Sequence, residues 1–265
     1  MATLVCFHAH PDDESIATAG VMATAAADGH RVVLVVATLG EEGEVAEGFL
    51  SPGESLAERR EAETRASAQI LGASRVEFLG YRDSGMIGTP ANEHPAAFCQ
   101  ADLDEAAERL ASILRDEAAD VVTIYDENGV YGHPDHVQVH RVGVRAAERA
   151  GTARVLESTM NRDHFRSLRD QAREAGADLG AVDAPDVDEM QLGVPGDQIT
   201  TRVDVSAHVD RKRASMRAHA SQISETSFFL AMPDEVFAMS FGLEWFIRRG
   251  VPVPVDEFED SIFGE

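Results

Sequence analysis

Two short runs in this chain hold the residue types that metal-assisted hydrolysis needs. The first is His8-Ala9-His10-Pro11-Asp12-Asp13-Glu14. Proline removes a backbone donor and fixes a turn, so His10 and Asp13, three apart across it, can face one point. The plain alternative is a helix N-cap, which is worth roughly 1 kcal/mol and needs no catalytic role. The second run is Tyr125-Asp126-Glu127-Asn128-Gly129-Val130-Tyr131-Gly132-His133-Pro134-Asp135-His136, with His140 after it. Two histidines and a carboxylate are the mixed nitrogen and oxygen donors of a catalytic zinc, which keeps one coordination position open for water. Zinc lowers the pKa of its water to about 7 and polarises a carbonyl, so an amide becomes attackable at neutral pH. The same donors accept Fe(II), Co(II) or Mn(II). A base not bound to the metal is still required, and Asp12 is the nearest spare carboxylate. An amine leaves poorly unless protonated, and His133 is the nearest group able to carry that proton. Two other histidines compete for the metal. His8 shares a strand face with His10, and His140 lies one helical turn beyond His136.

The elements that must position these runs can be read from apolar periodicity. Short runs rich in Val, Ile, Leu or Phe predict strands at residues 3–7, 31–38, 75–79, 120–125 and 154–159. Segments with helical spacing lie between them, at residues 15–28, 55–71, 101–117 and 136–150. This alternation predicts a Rossmann-like α/β fold, a mostly parallel sheet with helices on both faces. Sites in such sheets lie beyond the carboxyl ends of the strands, which is where both runs fall. Residues 1–160 are expected to form the metal-binding catalytic core. Residues 161–265 form a smaller C-terminal portion of the same domain that shapes the substrate pocket. Within it, residues 176–196 read as a polar surface excursion, 199–205 as a strand, 206–221 as a helix and 227–245 as an aromatic-bearing stretch that serves as core or as the interface of a homo-oligomer. The acidic tail, 255–265, is expected to be poorly ordered or to pack along the surface.

Composition excludes several function classes. The formal net charge of −24 opposes a nucleic-acid partner, which needs clustered basic residues, and an anionic membrane surface. No apolar run approaches the roughly 18 residues of a membrane-spanning helix, and the start has no basic segment leading into an apolar core. Two cysteines, Cys6 and Cys99, are too few for a disulfide framework, so a reduced cytoplasm is expected.

Taken together, the two runs resemble those of the PIG-L/LmbE family of zinc-dependent N-deacetylases, which includes N-acetylglucosaminyl-phosphatidylinositol deacetylases and the actinobacterial mycothiol enzymes. The actinobacterial members are the most similar, through Tyr81-Arg82-Asp83-Ser84-Gly85-Met86 and Tyr131-Gly132-His133-Pro134-Asp135-His136. The resemblance runs to about residue 160 and returns weakly at Arg217-Ala218-His219-Ala220-Ser221-Gln222. It implies that His10, Asp13 and His136 hold the metal and that Asp12 is the general base. It makes His133 the group that polarises the amide, stabilises the oxyanion or protonates the amine. Asp135 would orient or tune a histidine, and Tyr131 would be a mobile loop residue that meets the developing tetrahedral centre. Arg60, paired with Glu63 in an Arg-x-x-Glu helix, and Asp83 are implied on the substrate side, with a solvated helix face and a turn as their plain alternatives. His219 and Gln222 read as structural. The implied substrate is a small N-acetylated amino sugar or glycoside. A mycothiol-conjugate amidase would carry a lysine shortly after the first run, where this chain reads Ser15-Ile16-Ala17-Thr18-Ala19-Gly20. A metal-binding or sensory domain without turnover is the reading from another class.

Overall fold

A computed structural model describes residues 1–174 and 192–264. The expected polar excursion therefore lies, up to residue 191, outside the described residues. Seven strands form one sheet in the order β3-β2-β1-β4-β5-β7-β6. They are β1 (Thr3–His8), β2 (Arg31–Thr38), β3 (Arg75–Tyr81), β4 (Val121–Tyr125), β5 (Arg154–Thr159), β6 (Thr201–Asp204) and β7 (Leu243–Arg248). The pairs among β1 to β5 are all parallel, while β7 runs antiparallel to both β5 and β6.

Side chains alternate across β1, and both of its faces are buried. Val5 and Phe7 pack with Leu110, Leu114, Val139 and Val142, which lie on α4 (Leu103–Asp116) and α6 (Pro134–Ala150). Leu4 and Cys6 pack on the other face with Met22, Ala68 and Leu71. These belong to α2 (Ala19–Ala27) and α3 (Leu56–Leu71). Two-sided burial explains why the parallel strands read as continuous apolar runs. The ends of α3 and α6 are marked in the sequence. Ser55 and Glu58 close a capping box at the start of α3, and Gly72 ends it in the left-handed conformation. Pro134 opens α6 and Gly151 closes it.

The helix expected over residues 15–28 is interrupted. A short α1 (Asp13–Ala17) stops at Thr18, and α2 then begins at Ala19. The break has a physical cause. The Glu244 carboxylate from β7 accepts the N–H groups of Gly20 and Val21 at 2.7 and 2.9 Å, and so satisfies donors that a helix start leaves open. The Thr18 hydroxyl is tied to His8. Farther on come α5 (Gly129–Gly132), α7 (Arg162–Glu174), α8 (Val209–Ala218), α9 (Phe228–Ala231) and α10 (Asp234–Phe241). The aromatic-bearing stretch supplies α9, α10 and β7, and Phe246 joins the core on the α2 and α3 side. Glu259 in the acidic tail accepts hydrogen bonds from Arg154, Thr201 and Arg248. Ile262 is buried and Phe263 stacks on His30, so the tail packs along the sheet edge. No helix among the described residues is long and apolar enough to cross a membrane.

Candidate metal centre and active site

Strand order reverses direction between β1 and β4, the crevice where open α/β sheets place their ligands. The first run leaves β1 and the second leaves β4, so the topology brings together residues 125 positions apart. The cleft they form, about 220 Å³, is lined by His10, Asp12, Asp13, Glu42, Gly43, Arg60, Asp83, Gly85, Met86, Tyr131 and His133.

At its floor lies the Asp13 carboxylate. One of its oxygens stands 3.4 Å from His10 Nδ1 and the other 3.4 Å from His136 Nε2. The same carboxylate accepts the backbone N–H of His10 at 2.8 Å, which closes the turn at Pro11. Donors at roughly 2.0–2.1 Å around a tetrahedral zinc stand about 3.3–3.4 Å from one another. The two observed spacings match that edge and are long for hydrogen bonds. His10 Nε2 points the other way, to Asp135 at 3.1 Å and Asp83 at 3.5 Å. Carboxylates thus meet both ring nitrogens; a ring that bound a metal through Nδ1 would keep an Nε2–H for Asp135, the usual second hydrogen bond of a metal-ligating histidine. His136 is fixed differently. Its ring stacks on Tyr125, centroids 4.4 Å apart and planes 18° apart, and its Nδ1 has no hydrogen-bonding partner among the described residues. Gly129 makes room for it: φ is +64°, and a Cβ there would stand 2.6 Å from the His136 Cβ. Other donor combinations also converge. One nitrogen each of His10, His133 and His136 lie within 4.8 Å of one another, as do donor atoms of His10, Asp83 and Asp135. Asp12, Asp13, Asp83 and Asp135 gather here, with Arg60 against Asp12 and histidines against the other three, an acidic excess that suits a divalent cation.

Asp12 sits at the N-cap of α1, but its side chain caps nothing. Its φ of 99° places a non-glycine residue in the left-handed region, a strain that clusters at functional sites. The carboxylate is instead 3.2 Å from Arg60 Nη2. Burial pushes the Asp12 pKa up to about 6, against the pull of Arg60 and with help from Asp13. Burial opposes charge on His10 too, yet the carboxylates of Asp13, Asp135 and Asp83 hold its pKa well above the ordinary range. His133, at the N-cap of α6, accepts the Asp135 N–H on Nδ1 at 3.1 Å, which leaves Nε2 as the protonated nitrogen. Burial and the neighbouring His10 and His136 lower its pKa to about 4, so the ring is neutral at pH 7. Tyr131 is partly exposed, with its hydroxyl 3.5 Å from His136 Nε2.

Of the remaining expected residues, Arg60 and Asp83 reach the cleft and Glu63 does not. The Arg60 guanidinium donates to the carbonyls of Gly40 and Pro11 as well as meeting Asp12. Asp83 accepts the N–H of Gly85 and of Glu42, joining two loops at the cleft wall. Glu63 accepts from the N–H and hydroxyl of Ser221. The two competing histidines are engaged elsewhere. His8 is fully buried between the hydroxyls of Tyr125 and Thr18, and burial lowers its pKa to about 4. His140 bonds the Tyr125 carbonyl and faces Glu157. His219 lies beneath the first run against Glu14, and Gln222 bonds the Glu44 carbonyl.

Three contributors lie inside the quoted runs but have no role assigned to them there. Ser84 donates both its N–H and its hydroxyl to Asp135. Tyr125 supplies the platform for His136, and Glu14 supports Asp12. Each looks like an ordinary turn, strand or helix residue until its distant partner is known.

Known proteins place this geometry. The curated 1D-myo-inositol 2-acetamido-2-deoxy-alpha-D-glucopyranoside deacetylase of Acidothermus cellulolyticus is 43% identical over 274 residues, covering 98% of this chain and 94% of that protein. Among solved structures, the N,N'-diacetylchitobiose deacetylase of Pyrococcus horikoshii matches with a TM-score of 0.58 at 19% identity, over 93% of this chain and 83% of that one. The 4-carboxy-2-hydroxymuconate hydratase GalB of Pseudomonas putida matches with a TM-score of 0.61 at 19% identity, over 97% and 100%. A fold shared by a deacetylase and a hydratase leaves the assignment to the sequence, and there residues 5–147 match the GlcNAc-PI de-N-acetylase model. With both His-Pro-Asp runs inside that match, the chain belongs to the PIG-L family of de-N-acetylases.

Proposed function

We propose that this protein removes the acetyl group from an N-acetylated amino-sugar glycoside, with a 2-acetamido-2-deoxyglucoside of inositol as its substrate. The observation that carries the reading is the Asp13 carboxylate set 3.4 Å from both His10 Nδ1 and His136 Nε2, with Asp12 and His133 left free on the cleft side. His10, Asp13 and His136 would hold zinc, or Fe(II) in its place. The bound metal would acidify a water and polarise the acetamide carbonyl.

The chain's own residues do the rest. Asp12, held by Arg60, takes a proton from the attacking water and returns it to the amine nitrogen as the C–N bond breaks. His133 offers its Nε2–H to the amide oxygen, where negative charge develops. Tyr131 covers the reacting carbon from the exposed side. Asp135 orients His10, and its peptide N–H fixes the tautomer of His133. Asp83 and Met86 form the wall that meets the sugar. The unpaired cysteines Cys6 and Cys99 fit a reducing cytoplasm.

The test is amine release from N-acetylglucosaminyl inositol by the zinc-loaded protein, beside bulkier amides of the same amino sugar. Deacetylation that is lost to a chelator and restored by zinc is expected, with the acetyl compound preferred. No amine from any of them would overturn the reading, and preference for the bulky acyl group would move it to a conjugate amidase.

A further inference from the structure

Glu14 follows the two aspartates of the first run, and its side chain turns away from the cleft into the interior, where it is fully buried. Three donors meet it. The Ser67 hydroxyl on α3 and His219 Nε2 just beyond α8 donate to Oε1 at 2.5 and 2.6 Å. The peptide N–H of Asp12 donates to Oε2 at 3.1 Å. His219 is fully buried as well, and its Nδ1 has no hydrogen-bonding partner among the described residues, so its ring is anchored through Glu14. A buried acid–imidazole pair is a poor device for stability alone, since apolar residues of similar volume often do as well or better. What this pair does is local: the group it reaches is the peptide of the one strained residue of the turn.

A left-handed non-glycine residue costs roughly 1–2 kcal/mol and persists only where its surroundings over-determine it. At Asp12 the restraints come from two ends. Arg60 holds the carboxylate, while Ser15 donates its N–H and hydroxyl to the Asp12 carbonyl and Glu14 accepts the N–H. Glu14 is itself placed by residues from α3 and from the C-terminal portion, 205 positions away in the case of His219.

We infer that the Glu14–His219 pair is a positioning device for Asp12, fixing the left-handed peptide from beneath and so setting where the carboxylate stands in the cleft. Neither residue lines the cleft, so both act through Asp12. The inference rests on the reading of Asp12 as the proton acceptor. It also gives the C-terminal portion a part in the catalytic geometry.

The test compares His219→Ala and His219→Gln as zinc-loaded proteins, each alone and combined with Asp12→Asn. The glutamine amide can still donate to Glu14. His219→Ala is expected to lower kcat about 10–100-fold, the range typical of partners that orient a metal site, with KM for N-acetylglucosaminyl inositol and zinc content unchanged. His219→Gln recovers most of the rate, and neither change lowers kcat further when combined with Asp12→Asn. Amide exchange at residue 12, read by NMR without any substrate, is expected to quicken at least about 10-fold in His219→Ala. Where His219→Ala does not fold, Ser67→Ala, which removes the other donor to the same oxygen, takes its place in both readouts. An unchanged exchange rate at residue 12 would overturn the inference whether or not the wild type deacetylates anything. So would an equal fold-loss of kcat from His219→Ala with and without Asp12→Asn. Failure of the wild type to release amine overturns the deacetylase reading instead.

Discussion

The two His-Pro-Asp runs begin alike and enter their helices in opposite ways. In the second, the residue before the proline is an ordinary N-cap. His133 has extended backbone and its Nδ1 accepts the Asp135 N–H, so the helix start is capped from within the run. In the first run, the cap residue is Asp12, one position after the proline, with left-handed backbone and a side chain that caps nothing. That turn is held by its neighbours Glu14 and Ser15 and, from a distance, by Arg60 and by His219 through Glu14. The comparison teaches that a carboxylate spared from capping is free for other work only where distant residues replace what the cap would have supplied. One run caps its own helix and presents a neutral imidazole. The other is supported by the fold and presents a carboxylate.

Removing a metal donor should erase the comparison altogether. His136→Ala is expected to lose bound zinc and bring activity to background, as measured by metal analysis beside the deacetylase assay. Retained stoichiometric zinc would move the centre to the alternative donors around His10. Next in size, the two cap residues should separate by role. Asp12→Asn keeps the shape and tolerates the left-handed backbone, yet should lower kcat about 10²–10⁴-fold with zinc still bound. His133→Asn keeps a good N-cap and should leave stability and metal content intact. It should lower kcat about 10²-fold, the low end for a group that moves or shares a proton in the transition state. A His133→Asn protein that melted much earlier than wild type would show the ring to be structural. Smaller again, Asp135→Asn should weaken zinc affinity about 10–100-fold through the orientation of His10. Competition with a chelator reads this directly, and unchanged affinity would remove Asp135 from the His10 shell.

The sequence made one side of this comparison far easier to read than the other. Strands β1 to β5 are visible because burial on both faces demands continuous apolar runs, and each fell within a few residues of its expected span. The candidate site residues His10, Asp13, His133 and His136 are visible because they sit in two compact runs at strand ends. Strand β7 is not, since Leu243-Glu244-Trp245-Phe246-Ile247-Arg248 shows no alternation. Its Glu244 is buried for a purpose set elsewhere, pairing with Lys212 at 2.7 Å and receiving the start of α2. The contacts of Asp135 with His10 and Ser84, and of Glu14 with His219, join residues 125, 51 and 205 positions apart. Local spacing holds no trace of such pairs. Only the topology creates them.

The smallest expected effect bears most directly on why the runs differ. Glycine in place of alanine ordinarily costs roughly 0.5–1 kcal/mol within regular structure. At residue 12 the order should invert, because both substitutions lose the carboxylate and its contact with Arg60 while only glycine escapes the left-handed penalty of roughly 1–2 kcal/mol. Asp12→Gly is therefore expected to be more stable than Asp12→Ala in urea unfolding, by that penalty less glycine's own cost of roughly 0.5–1 kcal/mol. At residue 133, φ is −62° and ψ 133°, so no left-handed cost exists there. The gap between His133→Gly and His133→Ala should then stay within capping preference, under about 1 kcal/mol. Equal gaps at the two positions would mean that the first turn is not strained. The support given by Arg60, Glu14 and His219 would then need another explanation.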